Sequence, residues 1–343
     1  MPKYWRVSDR AIRDGEPSST AQGPLSYWTA DGLANDGTIV WQRVSPNQFQ
    51  TLLKAAGDDF TPVDPGAQED QSHVTFFVHG YNVGWAASSA SYLNLCNRLF
   101  SGAQSLGLCV SFDWPSFGNV LGYYPDRAHA RSCALDLTNV LSTLYDYLLT
   151  RQAATVRDPS KACKAKLSMI SHSMGNYLLQ KAMAEAWTRK NQPLLASLLN
   201  QTIMVAADVD NDLFDAGAPD NGDGNAIVNL SYRITALYSG KDAVLGASAG
   251  LKHFGTRRLG RSGLAHRPPR VTQPPATDNV WDVDCSSFFA PTVSGQDIHG
   301  AYFVTGGTIE LMRQILRGID RGVLQAQKVT IGSADPSFVP PIG

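Results

Sequence analysis

The stretch Lys166-Leu-Ser-Met-Ile-Ser-His-Ser-Met-Gly175 joins a short apolar strand to a turn of small residues, and a helical pattern follows it as far as Lys190. A serine at such a sharp strand-to-helix turn, here Ser173, holds its hydroxyl clear of the sheet. The tight turn requires small residues two positions before and two positions after the serine, which are Ser171 and Gly175. Ser173 is therefore our candidate nucleophile.

On both sides of this turn, apolar runs of strand length alternate with helical patterns. We predict strands at residues 73–79, 108–112, 166–170, 201–207, 233–238 and 280–283. We predict helices at residues 86–106, from 126 onward, at 176–190 and at 308–321. Strands that alternate with helices of ten or more residues indicate an α/β fold. We expect a mostly parallel central sheet with helices on both faces.

The first 70 residues lack this regular alternation. They contain one predicted strand at residues 38–44 and a helix that begins after Ser45 and Pro46, a capping serine followed by a proline at the first helical position. Residues 57–72 are rich in Asp, Pro and Gly, which is typical of a linker. We expect residues 1–70 to be an N-terminal extension, possible edge strands of the sheet, and residues 71–343 to form the main domain.

The composition excludes several classes of protein. The chain has 343 residues, of which 43% are hydrophobic, and its formal net charge is −1, so a disordered chain is excluded. No apolar stretch reaches the ~18–20 residues of a membrane helix. The near-neutral charge disfavours a nucleic-acid partner. The five scattered cysteines include no C-x-x-C pair, and the N-terminus lacks a secretory pattern, so we expect a soluble, cytoplasmic protein.

Backbone donors for a developing oxyanion are predicted at two places. The first is the amide of Met174, at the start of the helix that follows Ser173. The second is the loop His79-Gly-Tyr-Asn82, directly after the first apolar strand, where Gly80 allows the backbone to approach a substrate closely. The amide of Tyr81 or Asn82 would complete an oxyanion hole, and we expect His79 to be a structural residue.

Several segments together resemble a known family. They are His79–Asn82, Phe112–Ser116, Ser171–Asn176, Asp208–Asp210 and the segments around Asp242 and His299. Over about residues 71 to 325 the chain resembles a largely uncharacterised, lipase-like branch of the α/β hydrolases. The resemblance implies an α/β-hydrolase fold in which a serine, an acid and a histidine follow one another in the chain as a catalytic triad.

The base and the acid are chosen by their position relative to the predicted strands. Of seven histidines, His299 follows the last strand and precedes the closing helix, where hydrolases place their base. Asp242 follows the strand two places beyond the nucleophile strand and is our first choice for the orienting acid. Asp208 and Asp210, one strand earlier, are alternatives.

These residues favour a serine hydrolase that cleaves a small carboxylic ester through an acyl-enzyme. The alternatives are an amide or thioester hydrolase with the same triad, and a hydrolase scaffold that is kept for binding. No metal or organic cofactor is expected. The stretch from 252 to 270 is basic, and Arg257, Arg258 and Arg261 in it are candidates for a lid or rim that attracts anionic substrates.

Overall fold

The alternating segments form a single sheet in the computed structural model of the chain. The structure describes residues 1–61, 67–116, 122–158, 164–190, 197–265 and 279–326. Within these residues, nine strands have the order β3-β2-β1-β5-β4-β6-β7-β8-β9. They are β1 (Tyr4–Arg13), β2 (Glu16–Ala30), β3 (Gln42–Val44), β4 (His73–Val78), β5 (Gly107–Asp113), β6 (Lys166–His172), β7 (Leu199–Val205), β8 (Ser231–Tyr238) and β9 (Val280–Asp284).

The strands from β4 to β9 are all parallel, as the alternating pattern predicts. A parallel connection requires a crossover, and helices provide it on both faces of the sheet. The main helices are α1 (Pro46–Asp58), α2 (Trp85–Leu99), α3 (Tyr123–Arg157), α4 (Gly175–Lys190) and α5 (Asn221–Leu230). The shorter ones are α6 (Ala243–Ala247), α7 (Leu259–Ser262), α8 (Ile298–Ala301), α9 (Gly306–Arg317) and α10 (Arg321–Ala326).

Two apolar cores lie on opposite faces of this sheet. One contains side chains of α1, α3, α4 and α5, for example Phe49 and Leu178, packed on Val110 and Met169. The other contains side chains of α2 and α9, packed on strand residues such as Ile170. Burial of one face of each helix against an apolar sheet is the main stabilising contribution of this layered arrangement. The prediction of a mostly parallel sheet covered on both faces is confirmed.

The N-terminal part of the chain contributes three strands at one edge of the same sheet. β1 pairs parallel with β5 and antiparallel with β2, and β2 pairs antiparallel with β3. The sequence indicated neither β1 nor β2, because buried charges interrupt the apolar pattern of β1. Arg10 is fully buried there and forms an ion pair with Asp113 of β5, with 2.6 Å between Nε and Oδ2.

Two predicted segments are shorter in the structure than the sequence pattern indicates. The strand predicted at residues 38–44 is shorter and begins at Gln42. The helix predicted at 86–106 ends at Leu99, because Gly102 has a φ of +73° in the turn that leads back to the sheet.

Cys96, Cys109, Cys133 and Cys285 are buried free thiols, and Cys163 lies outside the described residues. No helix among the described residues is long and apolar enough to cross a membrane.

Candidate active site

Ser173 occupies the turn between β6 and α4 in a strained conformation. Its φ is +53°, in the left-handed region that residues with a side chain rarely adopt. The turn lies tightly against the end of β4: a Cβ at Gly175 would lie 2.5 Å from the backbone oxygen of His79. Glycine is therefore required at this position by close packing. The Ser173 side chain is 3% exposed, at the floor of a cleft.

Asn176 holds the turn in place through its side-chain amide. Its Nδ2 donates to the backbone oxygens of Ser171 and Ser173, each at 3.1 Å, and of Val205 at 3.2 Å. Its Oδ1 accepts a 2.6 Å hydrogen bond from the Ser171 hydroxyl. Ser171 stands where glycine is common in such turns, and this bond satisfies its buried hydroxyl. The sequence analysis did not assign this supporting function to Asn176.

His299 lies between Ser173 and Asp242. Its Nε2 is 2.8 Å from Ser173 Oγ, and its Nδ1 is 2.8 Å from Asp242 Oδ2. The Asp242 carboxylate is fully buried, whereas the His299 side chain is 13% exposed. The structure thus brings together the three residues that the sequence analysis selected from separate parts of the chain, in one continuous set of hydrogen bonds.

The position of the Asp242 carboxylate is fixed by its place at the start of α6. Its second oxygen, Oδ1, accepts a 2.9 Å hydrogen bond from the backbone amide of Leu245, as a helix N-cap does. The amide of Ala243 donates to the backbone oxygen of Gly295, which ties this helix to the loop that precedes His299. Both oxygens of Asp242 therefore have defined partners, and the carboxylate cannot rotate away from His299 without losing its cap.

The predicted oxyanion donors lie beside the Ser173 hydroxyl. A Cβ at Gly80 would come within 2.8 Å of Ser173 Cβ, so only glycine brings the backbone of this loop so close to the serine. Tyr81 and Asn82 line the same cleft as Ser173. The Asn82 amide donates a long 3.4 Å hydrogen bond to Asp126 Oδ2. Met174 follows Ser173 directly, immediately before the first residue of α4.

His79 has structural partners and does not contact Ser173. Its ring stacks on Trp114 with 5.3 Å between the centroids, and its Nε2 lies 3.2 Å from Asp113 Oδ1. Its Nδ1 is 2.7 Å from the backbone oxygen of Gly80. These contacts connect the loop after β4 to the buried Arg10–Asp113 pair. They agree with the structural function expected for this histidine.

His172 precedes Ser173 in the turn and contacts the backbone of His299. Its Nε2 is 2.8 Å from the backbone oxygen of His299, and because a carbonyl only accepts, Nε2 must carry the hydrogen. Burial, together with the nearby charge of His299, lowers the pKa of His172 to about 3. The His172 ring lies 4.9 Å from the His299 ring and lines the cleft.

Asp208 and Asp210, the alternative acids, do not contact His299. Asp208 Oδ1 accepts from Ser248 and from Arg258 Nε, and its Oδ2 accepts from Tyr123. Burial raises the pKa of this carboxyl, but the Arg258 charge and these hydrogen bonds outweigh burial and lower it overall. Asp210 forms an ion pair with the same guanidinium. The structure therefore places Asp242, and neither alternative, against His299.

The basic candidates for a substrate rim occupy three different environments. Arg258 is fully buried against Asp208 and Asp210, so its assignment to a solvent-facing rim is wrong. Arg261 donates to the backbone oxygen of Asp242 and supports the acid from behind. Arg257 is exposed, but it does not line the cleft. The remainder of the predicted basic stretch, from residue 266 to 270, lies outside the described residues.

The cleft above Ser173 has a volume of about 570 Å³. One wall is apolar and comes from α6 and the turn after it. The residues of this wall are Ala243, Val244, Leu245, Ala247 and Leu251. The polar end of the cleft is a set of lining residues that contact one another, namely Tyr123, Asp208, Ser248 and Lys252. The described residues contain no cluster of three or more His, Cys, Asp or Glu side chains that could hold a metal ion.

Comparison with known protein families identifies the chain. The family described as "Alpha/beta hydrolase of unknown function (DUF900)" matches residues 66–304, well over half of the sequence. The chain belongs to this family. The matched region of this α/β hydrolase includes Ser173, Asp242 and His299, and it begins after α1, so that β1, β2 and β3 lie before it.

Individual relatives of this hydrolase are distant. An uncharacterized protein of Nostoc sp. (strain PCC 7120), alr1448, is 29% identical over 134 residues, which cover 33% of this chain and 31% of the relative. The acylaminoacyl peptidase of Pyrococcus horikoshii is 12% identical with a TM-score of 0.28, over 89% of this chain and 48% of the peptidase. An acylaminoacyl peptidase in complex with a chloromethyl ketone is 12% identical with a TM-score of 0.27. The match covers 94% of this chain and 48% of that peptidase. The chain spans less than half of each of these proteins.

Proposed function

We propose that the protein is a serine hydrolase that cleaves carboxylic esters through an acyl-enzyme. The observation that carries this proposal is the position of His299, with one ring nitrogen 2.8 Å from Ser173 Oγ and the other 2.8 Å from Asp242 Oδ2. This arrangement supports proton transfer from the serine to a histidine whose tautomer the carboxylate fixes. Membership in an α/β-hydrolase family agrees with hydrolysis but does not specify the bond.

In the proposed reaction, Ser173 Oγ attacks the ester carbonyl carbon while its proton moves to His299 Nε2. The C=O π electrons move to the carbonyl oxygen, which becomes an oxyanion. When the tetrahedral intermediate collapses, the bond to the alcohol oxygen breaks and the leaving alkoxide takes the proton from His299. Water then attacks the acyl carbon while His299 Nε2 takes one of the water protons. The bond between the acyl carbon and Ser173 Oγ breaks, the carboxylic acid leaves, and the proton on His299 returns to Ser173 Oγ. The Asp242 carboxylate stabilises the His299 imidazolium during both acylation and deacylation.

We assign the oxyanion donors to the amides of Met174 and Tyr81. Met174 stands at the start of α4, where the helix N-terminus adds a partial positive charge. Of the two candidates after Gly80, the Asn82 amide already donates to Asp126 Oδ2, which favours Tyr81 as the second donor. Removal of one such donor typically costs about 10²–10³-fold in kcat.

Labelling with a fluorophosphonate probe tests the proposal, because the probe reacts with an activated serine. We expect the wild-type protein to be labelled, whereas Ser173→Ala and His299→Ala are not. Ser101→Ala, which alters an exposed serine at the end of α2, is the matched control and should be labelled normally. A folded wild-type protein that resists labelling would favour the non-catalytic scaffold.

Matched substrates then identify the bond. Butyryl esters, thioesters and amides with the same acyl chain should be compared by kcat/KM. We expect the ester to be cleaved well and the amide poorly, because an amide nitrogen must be protonated before it leaves. A higher kcat/KM for the amide or thioester would assign the protein to that class.

A further inference from the structure

We propose that Lys252 selects substrates that carry an anionic group, a carboxylate or a phosphate, on the part of the ester that reaches the polar end of the cleft. This inference rests on the proposed ester hydrolysis and specifies its substrate class. It moves the anion-binding function from the three arginines, which the sequence suggested, to a single lysine that lines the cleft with Ser173.

The backbone after α6 brings Lys252 to the cleft. A π-helical turn spans Ser248–Lys252 and directs Ser248, Leu251 and Lys252 toward the cavity above Ser173. Widened turns of this kind occur frequently at functional sites, because they change the direction of side chains along a helix. The lysine is half-buried, and its ammonium lies 5.8 Å and 5.1 Å from the ring centroids of Tyr123 and Tyr124.

The other charged groups around this end of the cleft already have partners. Arg258 binds Asp208 and Asp210. Arg127 stacks on a tyrosine ring and donates to the backbone oxygen of Asp208. Among the residues that the structure describes, no carboxylate forms an ion pair with Lys252. The lysine is therefore the cation at this end of the cleft whose charge remains available to a ligand.

The carboxylates near the cleft do not cancel this charge. Asp208 is 2% exposed, and the guanidinium of Arg258 neutralises it. Asp242 is fully buried and paired with His299. A ligand in the cleft thus meets an apolar wall, the Ser173 hydroxyl and the Lys252 ammonium. An ester that has both a hydrocarbon segment and an anionic group is complementary to all three features.

Pairs of esters that differ only in charge test the inference. In one series the acyl chain of a p-nitrophenyl ester ends in a carboxylate (mono-p-nitrophenyl glutarate) or a methyl group (p-nitrophenyl pentanoate). In the other series, the alcohol part of the ester either carries a phosphate group or is neutral. In at least one series we expect the anionic ester to have a kcat/KM about tenfold higher, the scale of one charge-assisted hydrogen bond. The preference should weaken with added salt.

Three variants connect this preference to the lysine. Lys252→Met should abolish the preference by lowering kcat/KM for the anionic ester far more than for the neutral ester. Lys252→Arg should keep the preference. Lys54→Met, in which an exposed lysine of α1 far from the cleft is replaced, is the matched control and should behave as wild type. A preference that is equal in wild type and Lys252→Met, in both series, overturns the inference.

A binding measurement separates this inference from the proposed reaction. Ser173→Ala cannot form an acyl-enzyme, but its cleft should still bind hexanedioate more tightly than hexanoate in a calorimetric titration. Combining Ser173→Ala with Lys252→Met should remove that difference. A wild-type protein that does not turn over esters, together with selective binding of hexanedioate by Ser173→Ala, would refute the ester hydrolase alone. Turnover without any effect of Lys252 on anionic substrates or ligands would refute the anion site alone.

Discussion

Replacement of Asp242 by asparagine is the sharpest test of the site, because the structure determines which way the new amide must face. Asp242 Oδ1 accepts from the backbone amide of Leu245 at 2.9 Å, and Oδ2 faces His299 Nδ1 at 2.8 Å. Asparagine has the same shape but only one acceptor oxygen. The Leu245 amide is buried and needs that oxygen, so the NH₂ group of the asparagine must point at His299.

This orientation reverses the tautomer of the base. Facing a donor, His299 Nδ1 must accept, so the hydrogen of the neutral ring moves to Nε2, which lies 2.8 Å from Ser173 Oγ. Nε2 then cannot take the serine proton, and no carboxylate stabilises the imidazolium. We expect kcat to fall about 10⁴-fold, the scale for such an exchange in a serine triad. This corresponds to about 5.4 kcal/mol of transition-state stabilisation, since each tenfold is about 1.36 kcal/mol.

Steady-state hydrolysis of a p-nitrophenyl ester, with the folded state checked by urea unfolding, measures this loss. Asp210→Asn is the matched control, because Asp210 is partly exposed and contacts Arg258 instead of the base. It should retain kcat within a few-fold. If Asp242→Asn stays within tenfold of wild type while Asp208→Asn or Asp210→Asn loses activity by orders of magnitude, the assignment of the acid is refuted.

Three further predictions concern the support of the site and the fold. Gly80→Ala places a Cβ 2.8 Å from Ser173 Cβ, so kcat and the rate of fluorophosphonate labelling should fall about 10²-fold, the cost of a displacement near 1 Å. Asp113→Asn leaves the buried Arg10 charge uncompensated, so the free energy of unfolding in urea should fall by about 3 kcal/mol. Burial, with a smaller effect of Lys166, lowers the pKa of His73 from 6.5 to about 3. Because the unfolded chain then binds more protons, wild type should lose about 2 kcal/mol more stability than His73→Gln between pH 7 and pH 5.

Each of these predictions has a clear contrary result. Normal labelling of Gly80→Ala would mean that the turn tolerates the added methyl group without moving Ser173. An unchanged urea midpoint for Asp113→Asn would show that Arg10 finds another partner. Equal acid sensitivity of wild type and His73→Gln would mean that the buried histidine is charged in the native state.

The strands from β4 to β9 could be predicted because each is a short apolar run bounded by turns. The predicted strand at 108–112, for example, is observed as Gly107–Asp113. β1 could not be predicted, since an apolar pattern fails where buried charges are stabilised by distant partners. β2 could not be predicted because most of its residues are polar and only partly buried. Arg10 of β1 is acceptable in the sheet only because Asp113, more than a hundred residues later, neutralises it.

Local sequence also determined much of the candidate site. A serine between a strand and a helix, flanked by small residues, requires a strained turn whatever the rest of the chain does, and Ser173 has that conformation. The order of the predicted strands placed Asp242 and His299 at the same edge of the sheet, because the carboxyl ends of parallel strands share an edge. The positions of these residues could thus be inferred without coordinates.

Only the tertiary structure decided how the remaining polar residues are distributed. In sequence, Asp208 and Asp242 are both acids that follow predicted strands, and Lys252, Arg257 and Arg258 are all cations of one basic stretch. Folding buries Arg258 against Asp208, which leaves Asp242 to face His299 and Lys252 to face the cleft. The physical reason is that a buried charge must find a partner, and which partner it finds depends on contacts between segments far apart in the chain.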